Sequence, residues 1–288
     1  MLNAFKKRIN FLQKINPEIH LPYFRIFSHR HKPLSSIFLQ KQYPLLRFYF
    51  YTYVLPILYP RHCPVCQRLL PYGVYICGPC VTSLPYVKEP TCLCCGKPIA
   101  QIEQEYCYDC RTFPKSFRSG LALFVYNETT RPIMAAFKYK NNRTLSQFFA
   151  KEIYACHKEE ILRRKPELLI PVPIHKNKRR QRSYNQAELL AMDLSVLFRI
   201  PCCSNLLTRT VDTPPQKTLR PQARLHNLEN AFMINPACHH LLKGISTVLL
   251  IDDIYTTGAT MEICTRILHA AGIKNVFIYS ICIGVARD

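Results

Sequence analysis

Residues 248–260 read VLLIDDIYTTGAT, and this stretch decides the fold. Four apolar residues run into two adjacent acids, Asp252 and Asp253, and a segment of small and hydroxylated residues follows. A short apolar run bounded by turn residues is typical of a buried strand. Ligands of open parallel sheets bind beyond the carboxyl ends of such strands. The stretch therefore predicts a strand that brings two carboxylates to a ligand-binding edge.

The segment after the acids has the composition of an anion site. Small residues let backbone N–H groups point at an anion, threonine hydroxyls donate further hydrogen bonds, and the next helix N-terminus favours negative charge. Beside two carboxylates, which accept from ribose hydroxyls or meet Mg²⁺, such a cradle suits a sugar phosphate. No lysine follows the glycine, which excludes a GKT-type nucleotide loop. The alternative is an ordinary strand–turn–helix connection in which Asp253 belongs to the helix cap.

The chain around this stretch alternates strands and helices. The patterns predict strands at 120–126, 167–174, 246–252 and 275–283, and helices at 130–139, 144–164, 185–198 and 257–272. This alternation predicts an α/β domain with a mostly parallel sheet and helices on both faces. Residues 208–230 are polar and contain prolines, which is typical of a long loop that is functional or disordered.

Composition bounds the partners and the compartment. The 288 residues suffice for one sizeable domain and a small one, and the net charge of +21 attracts nucleic acid, phosphorylated metabolites or an acidic membrane face. A solvated basic surface without a dedicated partner is the alternative. No apolar core with a cleavage site follows the basic start, and the apolar run 45–58 is too short to span a bilayer. We therefore expect a cytoplasmic protein with no transmembrane span.

Nine of the 15 cysteines fall between residues 63 and 110. They include four CxxC pairs: Cys63 and Cys66, Cys77 and Cys80, Cys92 and Cys95, and Cys107 and Cys110. In a reducing compartment such pairs indicate metal rather than disulfides. Eight thiolates make two closed tetrahedral sites, so we expect two structural zinc ions that supply much of the local folding energy. The spacing leaves sequential and cross-braced pairing open, and redox use of single pairs would need a thioredoxin-like context that is absent.

The string 248–260 closely resembles the phosphoribosyl pyrophosphate motif of type I phosphoribosyltransferases. The segments PVPIHKNKRRQRSYNQAELLA (171–191) and DTPPQKTLRPQARLHNLENAF (212–232), together with the cysteine module, resemble ComF-type phosphoribosyltransferases. The resemblance runs from about residue 60 to the end. Ser183 and Tyr184 depart from it, because the family has glycine and phenylalanine in its RGFNQ string. It implies a Rossmann-like type I phosphoribosyltransferase domain at 115–288, a double zinc ribbon at 59–114 and a basic aromatic arm at 1–58.

The resemblance also implies roles for particular residues. Carried over by position, the two acids hold the ribose hydroxyls and the loop holds the 5′-phosphate of phosphoribosyl pyrophosphate, with Mg²⁺ present: Asp252, Asp253, Thr256, Thr257, Gly258, Ala259 and Thr260. Basic residues of the loop after the PVP strand and of the flap at 208–230 lie near the pyrophosphate: Lys176, Arg179, Arg182, Lys217, Arg220 and Arg224. A solvated face or contact with a nucleic-acid backbone is the alternative for the first loop.

Two functions follow from these residues and from the resemblance. The first is a phosphoribosyltransferase, that is a glycosyltransferase, with an acceptor that the sequence does not identify. The second is a non-catalytic module that senses phosphoribosyl pyrophosphate or binds single-stranded DNA, since cationic grooves with aromatic residues suit single strands. Resemblance to the ComF type implies service in natural transformation and DNA uptake, with an uptake helicase or channel protein as a partner.

Overall fold

The computed structural model of the protein describes residues 60–71, 73–212 and 230–285. The predicted arm at 1–58 and the flap residues Lys217, Arg220 and Arg224 lie outside the described residues. The chain divides into two compact units, and the described residues up to Leu84 belong to one while those from Pro85 onward belong to the other. The domain boundary that the sequence places after residue 114 stays a prediction.

The smaller unit is built around a short hairpin. Strands β1 (Arg61–His62) and β2 (Leu69–Leu70) pair antiparallel, and the helix α1 (Gly78–Thr82) follows. The turn between the strands is closed by backbone hydrogen bonds that join Cys63 to Arg68 and to Gln67, at 2.8 and 2.9 Å. A strand pair this short buries too little apolar surface to stand alone, so the unit needs a further source of stability.

The larger unit contains a parallel sheet of four strands. They are β3 (Ser119–Val125), β4 (Leu168–Pro171), β7 (Thr247–Tyr255) and β8 (Asn275–Ile283), in the spatial order β3-β8-β7-β4. Every neighbouring pair is parallel. The strands are apolar and buried on both faces because helices cover the two sides. The α/β fold predicted from the alternation of strands and helices is therefore confirmed.

Five helices accompany the sheet. They are α3 (Thr130–Tyr139), α4 (Leu145–Arg163), α5 (Lys176–Arg182), α6 (Gln186–Phe198) and α7 (Ala259–Ala270). Helix α6 packs on α4, β4 and β7, whereas α7 packs on β8. The expectation of a loop at 176–182 is wrong, because His175 caps a helix there by accepting a hydrogen bond from the Asn177 N–H. Lysine and arginine also favour the helical state.

A two-stranded antiparallel ribbon and two short helices complete the larger unit. Strand β5 (Leu207–Arg209) pairs with β6 (Phe232–Ile234), so this ribbon brackets the segment 213–229. A 3₁₀ helix (Pro236–Leu242) leads from β6 towards β7, and the helix α2 (Tyr108–Thr112) lies within the cysteine-rich region.

The residues between Cys92 and Cys110 pack directly on β3. The Gly120 N–H donates a hydrogen bond of 2.7 Å to the Cys94 carbonyl. A Cβ atom on Gly96 would lie 2.8 Å from the Gly120 carbonyl oxygen, and one on Gly120 would lie 2.8 Å from the Cys95 oxygen. Side chains at these positions would force the two backbones apart, so glycine is needed for this contact.

Candidate functional site

Eight cysteines form two groups with the geometry of metal sites. Cys63, Cys66, Cys77 and Cys80 make the first tetrad, Cys92, Cys95, Cys107 and Cys110 make the second, and the sulfur atoms of each lie within 4.8 Å of one another. Sulfurs from different pairs approach to 3.5 Å in the first tetrad and 3.7 Å in the second. A tetrahedral Zn–S distance of about 2.3 Å requires sulfur separations of about 3.8 Å. The residues therefore fit two structural zinc ions, and the pairing is sequential.

The second tetrad is part of the main core. All four of its cysteines are buried, and they share an apolar cluster with Phe117, Tyr255 and residues of α7 and β8. Inside it, the Lys97 ammonium lies 2.5 Å from the Asp109 carboxylate, with only 3% of the lysine side chain exposed. In the first tetrad, by contrast, Cys66 is exposed.

The acids Asp252 and Asp253 lie in β7, just beyond the point where the neighbouring strand β4 ends. Pairing of β7 with β4 stops at Ile251, and the Val172 carbonyl just beyond β4 accepts a hydrogen bond of 2.9 Å from the Asn185 side-chain amide. Pairing with β8 continues to Tyr255. Successive side chains of a strand point to opposite faces, so the two carboxylates lie on different sides of the sheet beside the gap that β4 leaves.

A lysine that the sequence analysis missed holds one acid. Lys138, near the end of α3, places its Nζ 2.9 Å from Asp253 Oδ1, and both side chains are about 15% exposed. Burial is the largest single effect on Lys138 and lowers its pKa, but the charge and hydrogen bond of Asp253, together with the charge of Asp252, raise the pKa overall. Lys138 lies four residues after the buried Met134, on the core-facing side of α3. In the sequence, Lys138 occupies a position on the apolar face of this helix. Because a buried lysine needs an acidic partner, this position was the signal that such a partner exists.

The negative charge of Asp252 is less well compensated by nearby cations than that of Asp253. Burial, followed by repulsion from Asp253, raises the pKa of Asp252 to about 7. Its carboxylate accepts a 2.8 Å hydrogen bond from the Asp253 N–H, and the Arg209 guanidinium lies near enough to favour its charge. Burial lowers the pKa of Arg209 although Asp252 opposes that change. An acid pair with one perturbed member beside a gap in the sheet is typical of a ligand site.

The loop after β7 ends in a left-handed glycine. Gly258 has φ +77° and precedes α7, whose first N–H groups have no partner within the helix. A Cβ atom on Gly258 would lie 2.2 Å from the hydroxyl oxygen of Tyr255. Both the backbone angle and this close approach therefore require glycine. The loop leaves helical N–H groups free to bind an anion next to the acids.

Basic side chains gather on the same side of the unit. Burial and the neighbouring Arg209 lower the pKa of Lys178, and repulsion from Arg182 and Lys138 adds to this effect. Arg179 forms an ion pair of 3.0 Å with Glu188, while Lys176 is exposed. The structure thus places Lys178 and Arg182 near Lys138, the partner of Asp253, and engages Arg179 elsewhere. Sequence reasoning missed Arg209, which lies 43 residues before Asp252 and carries no motif of its own.

Comparisons with known proteins agree with these features. A family model described as "Double zinc ribbon domain" matches residues 54–111. Competence protein F of Haemophilus influenzae is 28% identical over 218 residues, which cover 74% of this chain and 90% of that protein. Competence protein ComFC of Bacillus subtilis is 26% identical over 203 residues, 68% of this chain and 79% of that protein. DNA utilization protein YhgH of Escherichia coli K12 is 25% identical over 228 residues, 77% and 97% of the two chains.

Proposed function

The chain is a ComF-type protein with a double zinc ribbon in front of its α/β sheet, and from this premise we propose that it binds phosphoribosyl pyrophosphate together with Mg²⁺. Asp252, Asp253 and the loop 256–260 would form the site. The observation that carries the proposal is the acid pair, of which Asp252 has a pKa of about 7, beside the free N-terminus of α7. Such a pair costs stability, and a ligand that donates hydroxyl hydrogens would offset the cost.

The residues fit both parts of this ligand. The ribose hydroxyls would donate to the carboxylates, and the 5′-phosphate would accept from the loop and from the first N–H groups of α7. Mg²⁺ is commonly held by one or two carboxylates together with substrate phosphates, so two acids suffice. When bound, Mg²⁺ would supply positive charge to the pyrophosphate group.

Transfer of the phosphoribosyl group would use the cations already described. As pyrophosphate leaves the ribose C1 atom, Lys178 and Arg182 would stabilise its growing negative charge, and a nitrogen nucleophile of the acceptor would form the new bond. Lys138 would hold Asp253 ionised and in place, and the loop 256–260 would orient the sugar.

We also infer a role in the uptake or use of DNA. The names of the relatives, Competence protein F and DNA utilization protein YhgH, support it. The net charge of +21 and the exposed cations of α5 favour contact with a nucleic-acid backbone, so binding of single-stranded DNA is the second candidate function. A partner among the helicases or channel proteins of DNA uptake belongs to this inference.

Calorimetry with phosphoribosyl pyrophosphate and Mg²⁺, with pyrophosphate release followed in the same sample, tests the first function. We expect Asp252→Asn combined with Asp253→Asn to weaken binding at least about tenfold, because the hydroxyl acceptors lose their charge. The control is Glu159→Gln, which removes one charge from an exposed position of α4. Binding with release supports a transferase, binding without release supports a ligand sensor, and no binding to the unaltered protein contradicts the proposal.

The DNA-binding function has a separate test. Affinity for a labelled single strand should fall steeply as salt rises, since backbone contacts release counterions. The double asparagine variant should keep this affinity within about twofold. Loss of DNA binding together with sugar-phosphate binding would show that one surface serves both ligands.

A further inference from the structure

One large aromatic side chain beside the acid pair has no place in the functions above. Tyr139 is the last residue of α3 and is 70% exposed, although the two residues before it point inward. Its neighbour Lys138 contacts Asp253 at 2.9 Å. An exposed tyrosine thus follows directly, along α3, the lysine that contacts the acid pair.

The backbone that carries this ring is held firmly. The Tyr184 hydroxyl donates a hydrogen bond to the Phe137 carbonyl, and the Gln186 amide donates to the same oxygen at 3.3 Å. Gln186 is fully buried and Tyr184 is 4% exposed. The last turn of α3 is therefore anchored by two buried side chains, so the exposed ring projects from a rigid support.

Arg182 lies over one face of the ring. Its guanidinium carbon is 5.0 Å from the Tyr139 ring centroid, and its Nη2 donates to the tyrosine hydroxyl at 3.3 Å. Gln186 accepts from Nη1 of the same guanidinium at 3.4 Å. The arginine fixes the plane of the ring, and the 70% exposure places the rest of the ring in solvent.

Two further cations follow Tyr139 in the chain. Lys140 follows Tyr139 directly and is exposed. Arg143 lies in the same loop as Lys140, and its guanidinium carbon is 5.0 Å from the centre of the neighbouring Tyr184 ring. An exposed aromatic ring among lysines and arginines is the arrangement that stacks one base while the cations hold phosphates.

We propose that Tyr139, backed by Arg182, is a stacking platform for a single nucleobase next to the acid pair. This platform goes beyond the proposed sugar-phosphate site and does not depend on it. The base could belong to a single strand or to a free nucleotide, since both present the same aromatic face. Two probes separate these sources.

The experiment uses fluorescence anisotropy with the full chain. The first probe is a labelled oligothymidylate, and its matched control is an abasic oligodeoxynucleotide of the same length, which carries the same phosphates without bases. The second probe is adenosine monophosphate, added as a competitor and titrated by calorimetry. The variants are Tyr139→Leu, which removes the ring, and Tyr139→Phe, which removes only the hydroxyl. Leu162→Ala changes another exposed apolar side chain as a control.

We expect Tyr139→Leu to weaken oligothymidylate binding about tenfold, while Tyr139→Phe stays within about twofold of the unaltered protein. Binding of the abasic strand should not change. A loss confined to adenosine monophosphate would support the platform and assign it to a free nucleotide. Equal affinity of Tyr139→Leu and unaltered protein for both base-containing probes would overturn the proposal, as would an equal loss on the abasic strand.

Calorimetry of Tyr139→Leu with phosphoribosyl pyrophosphate and Mg²⁺ separates this result from the proposed function. An unchanged sugar-phosphate affinity with a weakened base affinity supports the platform. If the unaltered protein does not bind phosphoribosyl pyrophosphate but the base-dependent loss is present, the proposed function fails and the platform stands.

Discussion

The two cysteine tetrads have the same ligands and nearly the same spacing, yet they belong to different environments. The first lies in the smaller unit, beside two-residue strands, and one of its cysteines is exposed. The second is buried throughout and shares a core with the sheet. The first metal therefore stabilises little beyond its own loops, whereas the second stabilises a surface on which a whole domain packs.

Tyr255 connects the surroundings of the second tetrad to the loop after the acid pair. Its ring packs edge to face on Phe117 at 6.4 Å and lies 5.9 Å from the Lys97 ammonium, while its hydroxyl approaches Gly258. One residue thus contacts the side chains around the second metal and the loop after the acids. The same metal-binding motif therefore stabilises only its own loops in the smaller unit. In the larger unit it also supports residues that contact the candidate ligand site.

The largest expected effect separates the two metals. Because a structural zinc ion supplies on the order of 10 kcal/mol of folding energy, Cys95→Ser should unfold much of the larger unit. Cys66→Ser should leave that unit intact and open only the smaller one. Zinc content, circular dichroism and limited proteolysis with mass spectrometry would distinguish the variants. Equal damage from both changes would contradict the comparison.

The buried ion pair beside the second metal should give the next largest effect. Lys97→Met leaves the Asp109 carboxylate buried without its 2.5 Å partner and should cost about 3–5 kcal/mol of unfolding free energy. Replacing both residues, Lys97→Met with Asp109→Leu, should recover much of this loss because no charge remains buried. Denaturant unfolding measures each variant, and the exposed Lys88→Met serves as the control. A neutral Lys97→Met would show that the pair does not stabilise the second tetrad.

The acid pair should destabilise the fold, whereas this ion pair stabilises it. The pH dependence of stability reveals the difference. The pKa of Asp252 is raised from 3.8 to about 7 by burial and by Asp253, so the folded chain keeps a proton that the unfolded chain releases. Stability should therefore fall as the pH rises from about 4 to about 7 and stay lower above it. Asp252→Asn should be up to about 4 kcal/mol more stable at pH 8 and nearly unchanged at pH 4.

Thermal unfolding of both proteins across this pH range provides the measurement. Asp253 carries a partner in Lys138, so Asp253→Asn should not reproduce the gain and acts as the matched control. Equal stabilities of Asp252→Asn and the unaltered chain at pH 8 would mean that Asp252 pays no penalty when ionised.

The smallest effect concerns the hydroxyl of Tyr255. This buried oxygen has no hydrogen-bond partner in the structure. Removing an unsatisfied buried polar group is neutral or favourable, so Tyr255→Phe should stabilise the protein by about 1 kcal/mol. The ring and its contact with Phe117 remain. Chemical denaturation resolves a change of this size, and a loss of stability would instead assign the hydroxyl a partner.

Local patterns predicted most of the fold. The helix at 130–139 and the strand at 275–283 agree with the structure at both ends, because strong periodicity and clear flanking residues define them. The two zinc sites were predicted from CxxC spacing, since that spacing alone places two sulfurs on one ion. Which pairs join was not predictable, because sequential and cross-braced arrangements need the same local turns.

The partners of the candidate site were harder to predict. Lys138 lies 115 residues before Asp253, and only the packing of α3 against the sheet brings them together. A loop was expected at 176–182 because the resemblance implies one after the PVP strand, and the seven residues, with five cations and no apolar stripe, carry no helical pattern that would contradict it. Ser183 occupies a left-handed position with φ +65° at the end of this helix, which explains why the family's glycine is suited to that place.

The contact between Gly96 and Gly120 bears on how such a protein can be inherited or engineered. Two backbones meet there without side chains between them. The segment from Cys92 to Cys110 and strand β3 therefore each require glycine at the point of contact. A graft of this segment onto another sheet would need a glycine at the receiving strand and the same register. We therefore expect the segment from Cys92 to Cys110 to be inherited together with the sheet that it contacts, and not as an independent module.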